Sequence, residues 1–130
     1  WCWGVMPQSA LALKSPVNAL EASKDAGGHW RHYVNETLAN AYVPLYSLVD
    51  TWLMLKAPSF DVVSSWRKQQ EDDLRASQPA GSGVMTDAQI DAFVLYFQRL
   101  TEHALSALAQ RCDFVYELNK ARKIVNVIHR

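Results

Sequence analysis

Between Asp50 and Lys56 the chain runs through Thr51, Trp52, Leu53, Met54 and Leu55, before Ala57 and Pro58 end the run. A short continuous apolar run of this kind is the pattern of a β-strand buried on both faces. Such a strand belongs inside a parallel sheet, with neighbouring strands on both sides. Two other segments can supply strands: Phe114, Val115 and Tyr116 form the core of a second, and Ile124 to Ile128 a third. The expected fold class is therefore α/β, helix-rich, with two or three short strands. A chain of 130 residues has room for one domain with a modest core, and for few strands. Either the sheet is small and another copy covers its edge, or part of the parent domain is missing.

The remaining patterned segments are helical. Trp1 to Ala12 reads as a strand end passing into a loop, and Pro16 sits where a short helix over Val17 to Ser23 would begin. Asp25 to Gly28 is a turn by composition, releasing a helix from His29 to about Ala41 with Trp30, Val34, Leu38 and Ala41 on one stripe. Pro44 breaks or kinks that helix, and Leu45 to Leu48 can resume it. Ser59 is the N-cap candidate of a helix running to about Ser77, with Phe60, Val63, Trp66 and Leu74 at helical spacing. Gln78 to Gly83 is a Pro, Ala, Gly and Ser loop, the expected mobile segment. Thr86 and Gln89 make a capping box for one long helix from Asp87 to about Gln110, whose apolar face includes Ile90, Phe93, Val94, Phe97 and Leu100.

Thirteen basic and thirteen acidic residues leave no net charge, which argues against a general nucleic-acid binder or a basic membrane-surface protein. Cys2 and Cys112 form no motif and no disulfide framework, so a reduced, cytoplasmic setting is expected. No apolar run approaches the length of a membrane span. His29 and His32 stand three apart, a spacing that can hold a metal, but nothing in sequence completes a ligand set, and no metal site is assigned. Ser64 and Ser65 have no nearby His and Asp partners, so a serine-hydrolase reading has no support.

The helix after Pro58 carries Arg67, Lys68 and Arg75 interleaved with Glu71, Asp72 and Asp73, and Arg67–Glu71 and Glu71–Arg75 are both i,i+4 pairs. Two readings stand side by side. The helix is a solvated amphipathic face, or it faces an anion, because the guanidinium fork suits phosphate. Arg31 and Asn35, four apart, share one side of their helix.

W-R-x-Q-Q-E-x-x-L-R, read at Trp66, Arg67, Gln69, Gln70, Glu71, Leu74 and Arg75, resembles the lid helix of bacterial D-glycerate kinases, which belong with the P-loop kinases similar to uridine kinase, pantothenate kinase and phosphoribulokinase. Asn18, Leu20 and Glu21 match an N-x-L-E element, and Trp30, Arg31, Val34 and Asn35 a W-R-x-x-V-N element. Met85, Thr86 and Asp87 are followed by Phe93, Val94, Tyr96, Arg99, Leu100 and Thr101, matching M-[ST]-D and F-V-x-Y-x-x-R-L-T. The order of these elements runs along nearly the whole chain. One departure stands out: no G-x-x-x-x-G-K-[ST] loop is present, so the element that cradles nucleotide phosphates in such kinases is lacking.

The resemblance implies a single, partial kinase-like domain over residues 1–130, with a lid-like helix at 59–77 and the mobile loop at 78–83. It implies catalytic, phosphate-side roles for Arg67, Lys68 and Arg75, and acceptor-side roles for Arg31, Asn35 and Arg99, Arg31 suiting a carboxylate such as that of glycerate. For Arg99 a structural ion pair stands as an equal alternative. Asn119 and Arg122, which follow the second strand, would face the nucleotide. ATP and Mg²⁺ are implied by the family, with none bound by this chain alone. The implied partners are a small hydroxy acid in the full-length family and either a missing N-terminal half or a second copy of the chain. The alternative is a non-catalytic, kinase-derived binding or oligomerisation module.

Overall fold

The computed structural model describes residues 2–77 and 83–130. Strand β1 (Leu53–Lys56) pairs in parallel with β2 (Phe114–Leu118), which pairs antiparallel with β3 (Ile124–His129). These form a three-stranded sheet in the order β1-β2-β3 among the described residues. The register stacks Met54, Val115 and Ile128 across the sheet on one face, and Leu53–Phe114–His129 and Leu55–Tyr116–Val127 on the other. Met54 and Val115 are buried, whereas Leu53 and Leu55 are 55% and 63% exposed. The expectation that β1 is buried on both faces is therefore corrected. Side chains alternate across a strand, and among the described residues β1 is an edge strand with its Met54 face in the apolar core.

Ahead of the sheet come α1 (Ala19–Lys24), α2 (His29–Thr37) and α3 (Val43–Tyr46). The Asn18 side chain caps α1 by accepting from Glu21 N, three positions on. Gly28 enters α2 from a left-handed conformation, φ 75°, where a side chain would be strained and a Cβ would lie 3.0 Å from His32 Nδ1. Pro44 does not end the helical path. Residues Leu38–Tyr42 form a π-helical turn between α2 and α3, with Val43 N–H donating to Leu38 O. That widening precedes the proline, which has no N–H to close an ordinary turn.

Helix α4 (Asp61–Ser77) lies where the lid-like helix was expected. The mobile-loop expectation for Gln78–Gly83 falls, for 78–82, outside the described residues. Beyond it, Thr86 and Gln89 form the full capping box that opens α5. The single helix expected from Asp87 to Gln110 is corrected. It divides into α5 (Asp87–Leu95), α6 (Gln98–Ala107) and a 3₁₀ turn at Leu108–Gln110. At the division, Tyr96 and Phe97 N–H groups turn back to Phe93 and Val94 carbonyls. Asn18 Nδ2 donates 2.9 Å to Leu95 O, supplying a partner from outside the helix. The apolar periodicity carries straight through this break, so nothing local marks it.

Apolar packing is distributed over three clusters. Met54, Val115, Ala109 and Cys112 join the inner sheet face to the end of α6. Val5, Leu38 and Ala104 join the N-terminal segment and the π-helical turn after α2 to α6. Val63, Ile90 and Val94 join α4 to α5. Helix α6 is thus shared by the sheet and the N-terminal helices.

Candidate functional site

Two cavities of about 480 Å³ each gather most of the residues singled out above. The first lies between α2 and the α5–α6 junction. Its apolar walls include Leu13, Trp30, Val34, Phe93, Tyr96, Phe97 and Leu100, and Gln8, Glu21, Arg31, Asn35 and Arg99 supply the polar groups. The second opens at the C-terminal end of β1, between α4, α6 and the β2–β3 turn. Arg67, Gln70, Thr101 and Arg122 stand around an apolar floor that includes Met54, Val63, Trp66 and Leu105.

In the first cavity the polar groups are turned on the protein itself. Arg99 grips Glu21 with both arms of its fork, Nε to Oε1 at 2.8 Å and Nη2 to Oε2 at 2.7 Å. The remaining N–H groups reach Ser15 O at 2.7 Å, Ala12 O at 2.9 Å and Gln8 Oε1 at 3.3 Å. A guanidinium has five N–H donors, and all are used. The structure therefore contains the ion pair that stood as the alternative for Arg99. Arg31 ion-pairs with Asp25 at 3.1 Å and donates to Leu13 O at 2.7 Å and Asp25 O at 2.6 Å. Its Nη2 is held less closely, 3.4 Å from Lys14 O. Asn35 clasps one residue's backbone, accepting from Gln8 N at 2.7 Å and donating to Gln8 O at 3.1 Å. Arg31, Asn35 and Arg99 together fix the path of residues 8–15.

Burial alone would raise the pKa of Glu21, but the Arg99 hydrogen bonds and the Val17 N–H reverse this and hold it below the ordinary value. Asp25 is lowered in the same way, against its own burial, by the Trp30 and Arg31 N–H groups and the Arg31 charge. Glu21 and Asp25 escaped the site reading. Asn18 and Glu21 stood together in the N-x-L-E element, but Arg99 lies 78 residues from Glu21, and no local pattern joins them.

The second cavity brings together residues that the sequence placed in separate roles. Arg67 lies on it and ion-pairs with Glu71, one turn along α4. Arg122, at the tip of the β2–β3 turn with φ 60°, stands over the Trp66 ring at 5.6 Å and donates to Gln69 Oε1. Trp66 Nε1 in turn donates to Lys120 O at 2.8 Å. These contacts bind the turn to α4 and offset the cost of a left-handed conformation at a non-glycine residue. Among the described residues no carboxylate pairs with Arg122, so its charge is open to the cavity mouth.

The other candidates point elsewhere. Lys68 reaches across to α5 and holds Asp91 at 2.8 Å, and Asp91 also accepts from Ser64 at 2.6 Å. Arg75 holds Asp72 at 2.5 Å and Met85 O at 3.2 Å. Asn119 Oδ1 closes the β2–β3 turn by accepting from Ala121 N at 2.9 Å and Lys123 N at 3.0 Å. The His32 ring Nδ1 lies 2.6 Å from Gly28 O. Among the described residues no three His, Cys, Asp or Glu side chains gather in a metal-binding cluster. No helix among them is long and apolar enough to cross a membrane.

No family model matches the sequence, and no curated protein matches it. Solved structures do resemble it. The whole chain superposes on 48% of D-glycerate 3-kinase from Cryptococcus neoformans var. grubii serotype A, with 22% identity and a TM-score of 0.71. It also superposes in full on 45% of the YGR205w protein, with 18% identity and a TM-score of 0.62. The chain spans about half the length of these structures. At such identities the likeness is one of fold, and the helix-rich α/β arrangement matches part of a kinase fold.

Proposed function

We propose that this chain is the acceptor-and-lid portion of an ATP-dependent small-molecule kinase, in which the γ-phosphoryl of ATP passes to the alcohol of a small hydroxy acid resembling glycerate. The observation that carries the reading is the second cavity. The helix bearing Arg67 leans over the C-terminal end of a parallel strand, the usual ligand side of α/β sheets, and Arg122 from the β2–β3 turn lines the same cavity. Two guanidinium groups fit a phosphoryl group, whose charge spreads over its outer oxygens during transfer. The solved D-glycerate 3-kinase, which contains a fold like the whole of this chain, supports the same reading.

The role of each residue follows from its placement. Arg67 and Arg122 would meet the phosphoryl oxygens. Lys68 and Arg75 hold the lid-like helix to α5 and to Met85. Arg31, Asn35 and Arg99 set the wall of the first cavity on the acceptor side, with Arg31 Nη2 the donor best able to turn to a carboxylate. The 130 residues contain no G-x-x-x-x-G-K-[ST] loop, and no carboxylate among the described residues lines the second cavity. They fit the phosphoryl end of ATP, but not its phosphate cradle or its Mg²⁺. A cytoplasmic setting accords with the free Cys2 and Cys112. The second reading, a binding or oligomerisation module, is favoured by the bare outer face of the sheet, and a second copy of the chain is its natural partner.

Two measurements test the first reading. The chain alone, given Mg-ATP and D-glycerate, is expected to release no ADP in a coupled assay, because nothing in it replaces the phosphate cradle. With 5-fluorotryptophan incorporated, the Trp66 resonance is expected to move on titration with inorganic tripolyphosphate, and Arg122→Gln to weaken that binding by about tenfold. Glycerate-dependent turnover would refute the first expectation. A Trp66 signal indifferent to tripolyphosphate, or to Arg122→Gln, would remove the phosphate site.

A further inference from the structure

Helix α4 carries three cations, each facing a carboxylate, but the pairs differ in kind. Lys68–Asp91 and Arg75–Asp72 lie at the surface, with the Asp91 and Asp72 side chains more than half exposed. Arg67 faces a carboxylate that is almost wholly inside: Glu71 is 1% exposed. One of its oxygens accepts from Met85 N at 2.7 Å. The other lies against the Arg67 guanidinium, which also lines the second cavity. The Met85 N–H thus holds Glu71 in place while it faces Arg67. The consequence is electrostatic. Of the two guanidinium groups on the cavity, Arg67 is neutralised from behind, and the standing positive charge is that of Arg122.

We propose that Glu71 is a gate on this anion site: it cancels the Arg67 charge in the free chain and opposes the entry of an anion beside it. This rests on the reading of the second cavity as the phosphoryl-facing site and adds how that site is regulated. A dianion entering beside Arg67 meets the Glu71 carboxylate as a like charge, which penalises binding. Glu71 touches no ligand in this scheme and acts through Arg67 as a positioning residue. Its two contacts separate the roles: the Met85 bond needs an acceptor oxygen, and the Arg67 pairing needs a negative charge.

Glu71→Gln divides them, since the amide keeps an oxygen for Met85 N–H and loses the charge. Inorganic phosphate titrated against the whole chain, read on the Trp66 fluorine resonance, is expected to bind about tenfold more tightly to Glu71→Gln than to the unaltered chain. Arg67→Gln should bind more weakly than the unaltered chain, and Glu71→Asp, which keeps the charge, should stay within about twofold. Equal phosphate affinity in Glu71→Gln and the unaltered chain would overturn the gate and leave the anion site standing. No phosphate binding in any folded variant would overturn the site itself. Should Glu71→Gln melt without cooperativity, the Arg67 Nε signal of the unaltered chain decides. It should move together with the Trp66 response as phosphate saturates, and an Arg67 signal that stays still while phosphate binds would end the proposal.

Discussion

Arg99→Ala is expected to destabilise the fold by about 3–5 kcal/mol, the usual cost of removing one partner from a buried, hydrogen-bonded ion pair. Folded domains have only about 5–15 kcal/mol in hand, so the variant should be partly unfolded under mild conditions. The size follows from what Arg99 joins. From α6 it binds the carboxylate of Glu21 on α1 and the carbonyls of Ala12 and Ser15. Truncation leaves Glu21 charged, buried and without its main partner. Arg99→Lys should recover little, because an ammonium cannot reproduce the two-armed contact with Glu21. Glu21→Gln combined with Arg99→Met should cost less than the sum of the two single changes, since neither then strands a charge. Urea melts of the unaltered chain, Arg99→Ala, Arg99→Lys, Glu21→Gln, Arg99→Met and the double variant check this, and an Arg99→Ala variant within about 1 kcal/mol of the unaltered chain, a threshold well under the range for such pairs, would contradict it.

The same pair makes a statement about pH. The Glu21 and Asp25 carboxyls both titrate below their ordinary values in the folded chain. For a lowered carboxyl, the folded state binds fewer protons than the unfolded state across the interval between the two pKa values. Its contribution is complete above the unfolded value and is lost as pH falls through the folded one. The share of stability owed to these two carboxyls should therefore be constant from neutrality down to the unfolded carboxylate range and then decline. Glu21→Gln should show a shallower decline over that acid interval.

What could be read from the chain, and what could not, divides by sequence separation. Thr86 with Gln89 announced a helix start because a cap needs only neighbours three residues apart. The runs at Leu53 and at Phe114 to Tyr116 marked their strands for the same local reason. The break at Tyr96 and Phe97 was invisible, since it involves a bond from Asn18, 77 residues away. The lid-like helix was legible as a helix and by its W-R-x-Q-Q-E pattern. That its three cations would diverge, with Arg67 on a cavity, Lys68 on α5 and Arg75 beside Met85, depends on what packs round the helix. Arg67 and Arg122 meet across 55 positions because a crossover and a hairpin turn return the chain to the same strand end. The burial of β1 was misjudged on one side only. An apolar side chain declares a wish for cover, not the presence of a cover.

That uncovered face carries the last expectation, which is that the chain associates with itself at micromolar concentration. The rows Leu53–Phe114–His129 and Leu55–Tyr116–Val127 lie opposite the helices, and Leu53, Leu55 and Val127 are all more than half exposed. Among the described residues β1 pairs on one side alone, so its outer edge presents unpaired backbone groups beside this apolar face. A hollow along the β1 edge is lined by Trp3, Val49 and Leu53 together with Met54, Ala104 and Leu108, so apolar surface continues from the outer face round that edge. Apolar area is worth roughly 25 cal/mol per Å², so about 400 Å² left in water forgoes on the order of 10 kcal/mol. A second copy offers the same surface, and two-fold pairing is the commonest way to cover it. Sedimentation equilibrium should therefore return a dimer. Leu53→Lys with Leu55→Lys should shift it to monomer while the inner face of Met54 and Val115 keeps its packing and the melt stays cooperative. A cooperatively melting monomer of the unaltered chain at every concentration would show that water is an adequate neighbour for this face, and that the parallel edge has no need of a partner.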